Sequence, residues 1–445
     1  MSAWDDLVGQ DRVSGQLRAA ARDADAYVTA AAERGTDRAP TDGTAPARGG
    51  PDSGSPDSTG VGADEPGSRG PGPEEPGGPV ASRGSAMTHA WLFIGPPGSG
   101  RATAARAFAA ALQCVSPDRA LGGQPGCGFC EGCHTTLVGT HADVEIVRTD
   151  LLSIGVKETR ELVRRAQMSP AGGRWQVIVL EDADRLTESA GNVLLKAVEE
   201  PAPRTVWLLC APSTEDVLPT IRSRCRTLAL RTPPVDAVAD ALVRRDGVEP
   251  AAAATAARAT QGHIDRARRL ATDERARARR TAVLRLPTRV TDVGDALRAA
   301  QELIDAAAED AKQQGEERDE RETEELRAAL GATEGKRLPR GTAGVMKDLE
   351  DRQKRRATRA QRDSLDLALT DLTAFYRDVL ARQLGSTVAM ANEDVRESVE
   401  RLAGSSAPEH TLRRIEAVLD CRGALDRNVA PLLAVEAMAM SLRAG

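Results

Sequence analysis

Five short apolar runs, at Trp91–Ile94, Val144–Val147, Val177–Leu180, Val206–Cys210 and Thr227–Leu230, recur along one stretch of this chain. Segments with helical periodicity separate them, for example Val156–Met168 and Ser189–Glu199. Short, continuously apolar runs suit strands buried on both faces, and parallel neighbours need a crossover that a helix supplies. The pattern predicts an α/β core with a mostly parallel sheet and helices on both faces. With 445 residues in all, two or three domains are expected.

The remainder divides by composition. Residues 1–34 read as a short docking segment and a helix that belong with the core at 87–232. Between them, 35–86 is dominated by Gly, Pro, Ser, Asp and Thr, too poor in apolar groups to offset chain entropy, and is expected to be a disordered insertion. Pro233 and Pro234 break the chain after the last strand. A small helical unit is expected over 233–285 and an all-helical domain over 286–445. The latter contains a charged insertion at about 309–362, whose run Glu316–Glu322 is polar all round and reads as a solvated helix or loose insertion. Beyond it, Leu365, Leu369, Leu372, Tyr376 and Val379 share one helical face, as in a bundle.

Gly95-Pro96-Pro97-Gly98-Ser99-Gly100-Arg101-Ala102 follows the first strand and opens a helix. That is the context of a phosphate-binding loop, where amides at Gly95, Gly98 and Gly100 and a helix N-terminus cradle anionic oxygens. Such a loop ends in Lys followed by Ser or Thr. Arg101 stands in place of the lysine, and it is bulkier and planar. Ala102 stands in place of the hydroxyl that would hold Mg²⁺, and Thr103 is one residue late, turned about 100° away on a helix. The bland alternative is a glycine-rich turn with no ancestry in nucleotide binding.

A second element points the same way. The strand Val177–Leu180 ends in Glu181-Asp182, where an active ATPase needs Asp for the metal shell and then Glu for the attacking water. The order is reversed, which displaces each carboxylate by about a methylene, and in-line attack tolerates little misplacement. Read alone, the pair could be solvated acids at a strand end.

Four of the seven cysteines, Cys114, Cys127, Cys130 and Cys133, fall within twenty residues of one another. Four thiolates select zinc in a closed tetrahedral site of structural type. Gly122, Gly123, Gly126 and Gly128 permit the tight turns such a site needs. His134 is an alternative ligand, and free thiols or an iron–sulfur cluster are the competing readings. Cys210 and Cys421 are isolated and read as core residues.

The net charge of −6 argues against a free-standing DNA binder, so nucleic-acid contact is expected only together with partners. The N-terminus has no apolar secretory segment and no run is long enough to span a bilayer, which suits a cytoplasmic protein.

The assembled motifs resemble the bacterial clamp-loader subunits of DNA polymerase III, which are AAA+ proteins. The residues that carry the resemblance are Trp4–Gln10, His89–Gly98, Asn192–Pro201 and the Ser-Arg-Cys within Ile221–Cys225. It covers about 3–34 and 87–232, and implies an AAA+ core with a zinc module at 114–133, then a helical lid and a helical collar. The degenerate loop implies the delta-prime kind of subunit rather than gamma/tau. So does Asp265, which occupies the family's sensor-arginine position in Gly262–Ala267, with Arg266 one step away. The resemblance further implies a hetero-oligomer with delta and gamma/tau that places a sliding clamp on primed DNA. This chain would then be part of a polymerase holoenzyme without itself polymerising or hydrolysing ATP. Arg224 is implied as an arginine finger acting on a neighbour's ATP site, with Ser223 orienting its loop and Cys225 a small buried residue. The alternatives are an active gamma/tau-like ATPase and a zinc-containing adaptor outside any clamp loader.

Overall fold

The computed structural model describes residues 2–36, 86–121, 123–149, 151–172, 174–329 and 343–444. The expected insertion at 35–86 lies almost wholly outside them. Helix α1 (Asp11–Thr36) comes first, followed by strand β1 (Ala90–Ile94) and helices α2 (Arg101–Leu112) and α3 (Glu131–Val138). Then β2 (Val144–Val147), α4 (Val156–Ala166), β3 (Gln176–Leu180), α5 (Glu188–Glu199), β4 (Thr205–Ala211), α6 (Pro219–Arg222) and β5 (Arg226–Ala229) complete the α/β core. The strands form one parallel sheet in the order β2-β3-β4-β1-β5.

Alternation along each strand sorts side chains onto two faces. Trp91, Phe93, Val177, Val179, Val206 and Leu208 meet α1 and α2, where Leu17, Phe108 and Leu112 are buried. Leu92, Ile178, Leu180, Trp207 and Leu209 meet α4 and α5, where Leu162, Leu194 and Val198 are buried. With both faces covered, the strands read as unbroken apolar runs. Ligands of open parallel sheets lie at the carboxyl ends of the strands, beside a reversal of strand order. The turn after β1 occupies that place, because β1 sits between β4 and β5 while the chain next crosses to the far edge at β2.

Three helices follow: α7 (Val235–Asp246), α8 (Pro250–Ala259) and α9 (Ile264–Thr272). They enclose a small core of Val238, Leu242, Ala253, Ala257 and Ala267. The C-terminal helices are α10 (Glu274–Arg289), α11 (Val293–Ala329), α12 (Ala343–Gln383), α13 (Arg396–Ser405), α14 (Pro408–Asp426) and α15 (Pro431–Ala444). Val283, Leu284 and Leu286 of α10 pack in the C-terminal cluster, so the boundary expected at 285/286 falls inside a helix whose apolar face belongs to that bundle. Leu365, Leu369, Leu372, Tyr376 and Val379 are all buried in it.

The charged segment at 309–362 is not a loose insertion among its described residues. It consists of the distal half of α11 and the proximal half of α12, running antiparallel as an arm that continues the bundle helices. Arg356 donates to both Asp319 and Glu322, and this hydrogen bonding lowers the Glu322 carboxyl to about 2. Interhelical ion pairs of this kind, rather than an apolar seam alone, hold a helix that is polar on most sides. Met346 and Leu349 supply the small buried strip. Among the described residues, no helix is long and apolar enough to cross a membrane.

Candidate functional site

The loop after β1 keeps the shape of a phosphate cradle. Gly98 and Gly100 have φ of +83° and +85°, a left-handed conformation that favours glycine. Gly100 caps α2 with no side chain over the helix N-terminus. Gln10, from the segment before α1, donates to the Ser99 carbonyl at 3.1 Å and to the Arg231 carbonyl at 2.5 Å. The N-terminal segment therefore reaches the loop.

The groups that would meet a nucleotide are occupied by the chain itself. The Arg101 guanidinium folds back and donates to the Gly95 carbonyl of its own loop. Burial lowers its pKa, against the pull of nearby acids including Asp184 and Asp182. From α9's N-cap, the His263 ring lies on Gly98 so closely that a Cβ there would sit 2.4 Å from the imidazole Cγ. Burial, reinforced by Arg266, lowers His263 to about 4, so the ring is neutral near pH 7. Ala102 offers no side-chain oxygen, and among the described residues the buried Ser99 hydroxyl has no hydrogen-bond partner.

Both acids at the end of β3 are also engaged. Glu181 pairs with Arg106 of α2 at 2.5 Å, its side chain 7% exposed. Asp182 accepts from the Thr149 amide at 3.0 Å and faces Arg359 of α12 at 3.5 Å. Arg106 and Arg359, the partners of these acids, carry no motif in the sequence. Arg106 is one helical turn beyond Ala102, a spacing that could have suggested it; nothing local marks Arg359. Arg266 turns away from the loop to Asp371 at 2.7 Å, while Asp265 is largely exposed.

Arg224 lies on the surface just beyond α6. Its guanidinium pairs with Glu199 of α5, donates to the Thr220 carbonyl at 2.8 Å and meets the Ser223 hydroxyl at 3.1 Å. Ser223 in turn donates to the Thr220 carbonyl at 3.0 Å. Burial raises the Cys225 thiol to about 12, an unreactive setting. Arg226 is committed elsewhere, over the Trp91 ring and onto the Ala86 carbonyl.

At the other end of α2, Cys114, Cys127, Cys130 and Cys133 bring their sulfurs within 4.8 Å of one another. Three of the S···S distances are 3.9 Å. A tetrahedron with metal–sulfur bonds near 2.3 Å has edges of roughly 3.8 Å, so the donor set already has the size a zinc ion requires. The same distances are far too long for disulfides. Amides of Val115 and Cys130 point at Cys130 and Cys127 sulfurs at 3.4 Å. Coupling between the two buried thiols lowers the pKa of Cys114 and raises that of Cys133. Arg119 and Arg174 lie near the sulfurs, tethered to Asp25 of α1 at 3.0 and 2.9 Å. Trp4 braces the module through its indole N–H to Pro125 at 2.8 Å, over Gly126 where a Cβ would lie 2.5 Å from that nitrogen. His134 is exposed and outside the donor set.

Residues 81–234 match the family described as DNA polymerase III, delta subunit. The DNA polymerase III subunit gamma/tau of Mycobacterium tuberculosis is 36% identical over 156 residues, covering 35% of this chain and 26% of that protein. The delta-prime subunit of Pseudomonas aeruginosa is 38% identical over 168 residues, 37% of this chain and 50% of that protein. The delta-prime subunit of Escherichia coli is 34% identical over 148 residues, 33% and 43% respectively. The chain thus spans half or less of these relatives' lengths. A solved gamma subunit-related protein of Thermotoga maritima aligns over 80% of this chain and 93% of its own, with a TM-score of 0.33 and 15% identity.

Proposed function

We propose, for a chain that belongs through residues 81–234 to the DNA polymerase III clamp-loader family of delta-prime and gamma/tau subunits, that it is the delta-prime kind: a AAA+ stator that does not hydrolyse ATP. Its core would join delta and gamma/tau in a hetero-oligomer that places a sliding clamp on primed DNA. In this reading α7–α9 are the lid and the C-terminal bundle is the collar.

The observation that carries the proposal is the self-occupied nucleotide loop. Arg101 bonds its own Gly95 carbonyl, and Glu181 is tied to Arg106. Phosphoryl transfer is catalysed mainly by positioning and charge stabilisation. A site without a metal-binding hydroxyl, with its acids in reverse order and paired to arginines, supplies neither. Arg224 gives such a subunit a role, because its loop is at the surface and its guanidinium can exchange Glu199 for a neighbour's γ-phosphate. Cys114, Cys127, Cys130 and Cys133 would hold one zinc ion that secures the turn between α2 and α3.

The match to gamma/tau sequences favours a second reading, an active ATPase of the same family. It would require Arg101 and Arg106 to leave their partners when nucleotide arrives. The proposal as a whole is tested by co-expressing this chain with delta and gamma/tau subunits of its own organism. Co-purification as one complex, retained when Arg101 is changed to Ala, is expected. No association, with or without ATP, would refute the clamp-loader role.

A further inference from the structure

Arg359 belongs to the arm, 177 positions along the chain from Asp182, yet its guanidinium is seated against the carboxyl edge of the sheet. It donates to the carbonyls of Thr149 and Leu151, the latter at 2.9 Å, and faces the Asp182 carboxylate at 3.5 Å. Thr149 follows β2 and Asp182 follows β3, so one side chain ties the ends of two adjacent strands. Both charged groups are largely enclosed, with the Arg359 side chain 13% exposed and that of Asp182 19% exposed. An isolated surface pair would contribute little. Here two main-chain acceptors and two carboxylates, Asp182 and Asp363 of α12 itself at 3.4 Å, converge on one planar fork, a geometry that an arginine satisfies and a lysine does not.

The placement follows from the helix itself. Arg356, Arg359 and Arg362 are three residues apart, so each step turns the side chain by roughly 60° around α12. Arg356 engages Asp319 and Glu322 on α11, and Arg362 donates to Asn428, between α14 and α15, at 2.6 Å. Buried Leu365, Leu369, Leu372 and Tyr376 anchor α12 in the bundle, and Arg359 faces the core.

We infer that the arm is a clasp on the nucleotide-facing edge of the core, with Arg359 as the positioning residue that stands on Asp182, the acid at the position from which an active site would orient the attacking water. While the clasp is closed, Asp182 is paired with Arg359 and the β2–α4 connection is held against β3. The arm then links the C-terminal bundle rigidly to the core. The contacts stand without the clamp-loader assignment. Only the description of Asp182 as the water-orienting position of an ATP site rests on that reading.

The test is hydrogen exchange on the full chain. The Thr149 amide, which donates to Asp182, reports the clasp directly. Arg359→Ala is expected to speed exchange at Thr149 about tenfold while leaving α12 as protected as before, because Arg356 still binds α11. Arg359→Lys should rescue only part of the protection. Arg362→Ala, which loses the Asn428 contact instead, should leave Thr149 unchanged. If Arg359→Ala protein does not fold, the lysine variant carries the measurement. Exchange at Thr149 unaltered by either variant, or altered equally by Arg362→Ala, would overturn the clasp. ATP turnover by the unmodified chain would sink the delta-prime reading and leave this exchange result standing.

Discussion

Helix α2 joins two glycine-rich turns that differ in what they retain. Its N-terminal turn has the backbone shape of a phosphate cradle but not the side chains, with Arg101 bonded to its own loop and His263 packed on Gly98. Its C-terminal turn has all four thiols at the separation a metal tetrahedron needs. The contrast has a physical reason. Loop shape and strand–helix packing stabilise the fold whether or not a nucleotide binds, so such a turn can keep its backbone without nucleotide chemistry. A four-ligand site is a folding element, and losing one ligand removes most of its contribution.

The largest expected effect breaks the intact end. Changing both Cys127 and Cys130 to Ser should reduce bound zinc from one equivalent to none and lower Tm by about 10 °C. Metal analysis and calorimetry check it, and full zinc occupancy in the double variant would remove the proposed ligand set. A sharper trial rebuilds the broken end. Arg101→Lys with Ala102→Ser should still give no ATP turnover, because Glu181 remains paired with Arg106 and the acid order is unchanged. Turnover in that variant would mean the two loop residues alone distinguish the ends.

A third trial concerns what the core offers its neighbours. Arg224→Ala should leave the Tm of this chain within about 1 °C, since its partners are surface groups. It should slow DNA- and clamp-stimulated ATPase of a reconstituted loader, by less than the roughly 10³–10⁵ that a trans arginine finger supplies to small GTPases. Arg224→Lys should rescue poorly. Unchanged rates in a normally assembled complex would reduce Arg224 to a surface ion pair.

The smallest effect is in pH. His263 has its pKa lowered to about 4 by burial, below the unfolded value near 6.5, so the unfolded chain binds the extra proton first. The stability that His263 contributes is complete above about pH 6.5 and is lost as pH falls towards 4. His263→Gln should therefore flatten the decline of Tm across that window by a few degrees. An identical pH profile for both proteins would mean that the ring on Gly98 is not held neutral by its burial.

Much of the core was legible because buried parallel strands leave an uninterrupted apolar signal. The observed β2 has the expected bounds, and β1, β3, β4 and β5 begin or end within one residue of theirs. The loop and the four cysteines were legible from local spacing alone. What stayed hidden depends on long-range pairing. Nothing around Arg359 marks it as the partner of Asp182. Nor does the Glu316–Glu322 run show that Arg356 will hold it to a second helix. A polar periodicity reports what a helix fails to bury, but not which charged residue elsewhere compensates. The shift of α10 into the C-terminal bundle has the same origin, since Val283 and Leu286 suit either neighbour until the packing is seen.

The central claim is that this chain keeps the phosphate cradle without its catalysis. The direct measurement is steady-state ATP hydrolysis by the purified chain in the presence of Mg²⁺. No turnover above the rate of uncatalysed hydrolysis is expected. Turnover on the scale of ordinary AAA+ motors, abolished by Asp182→Asn, would contradict it and make the chain a working ATPase of the gamma/tau kind.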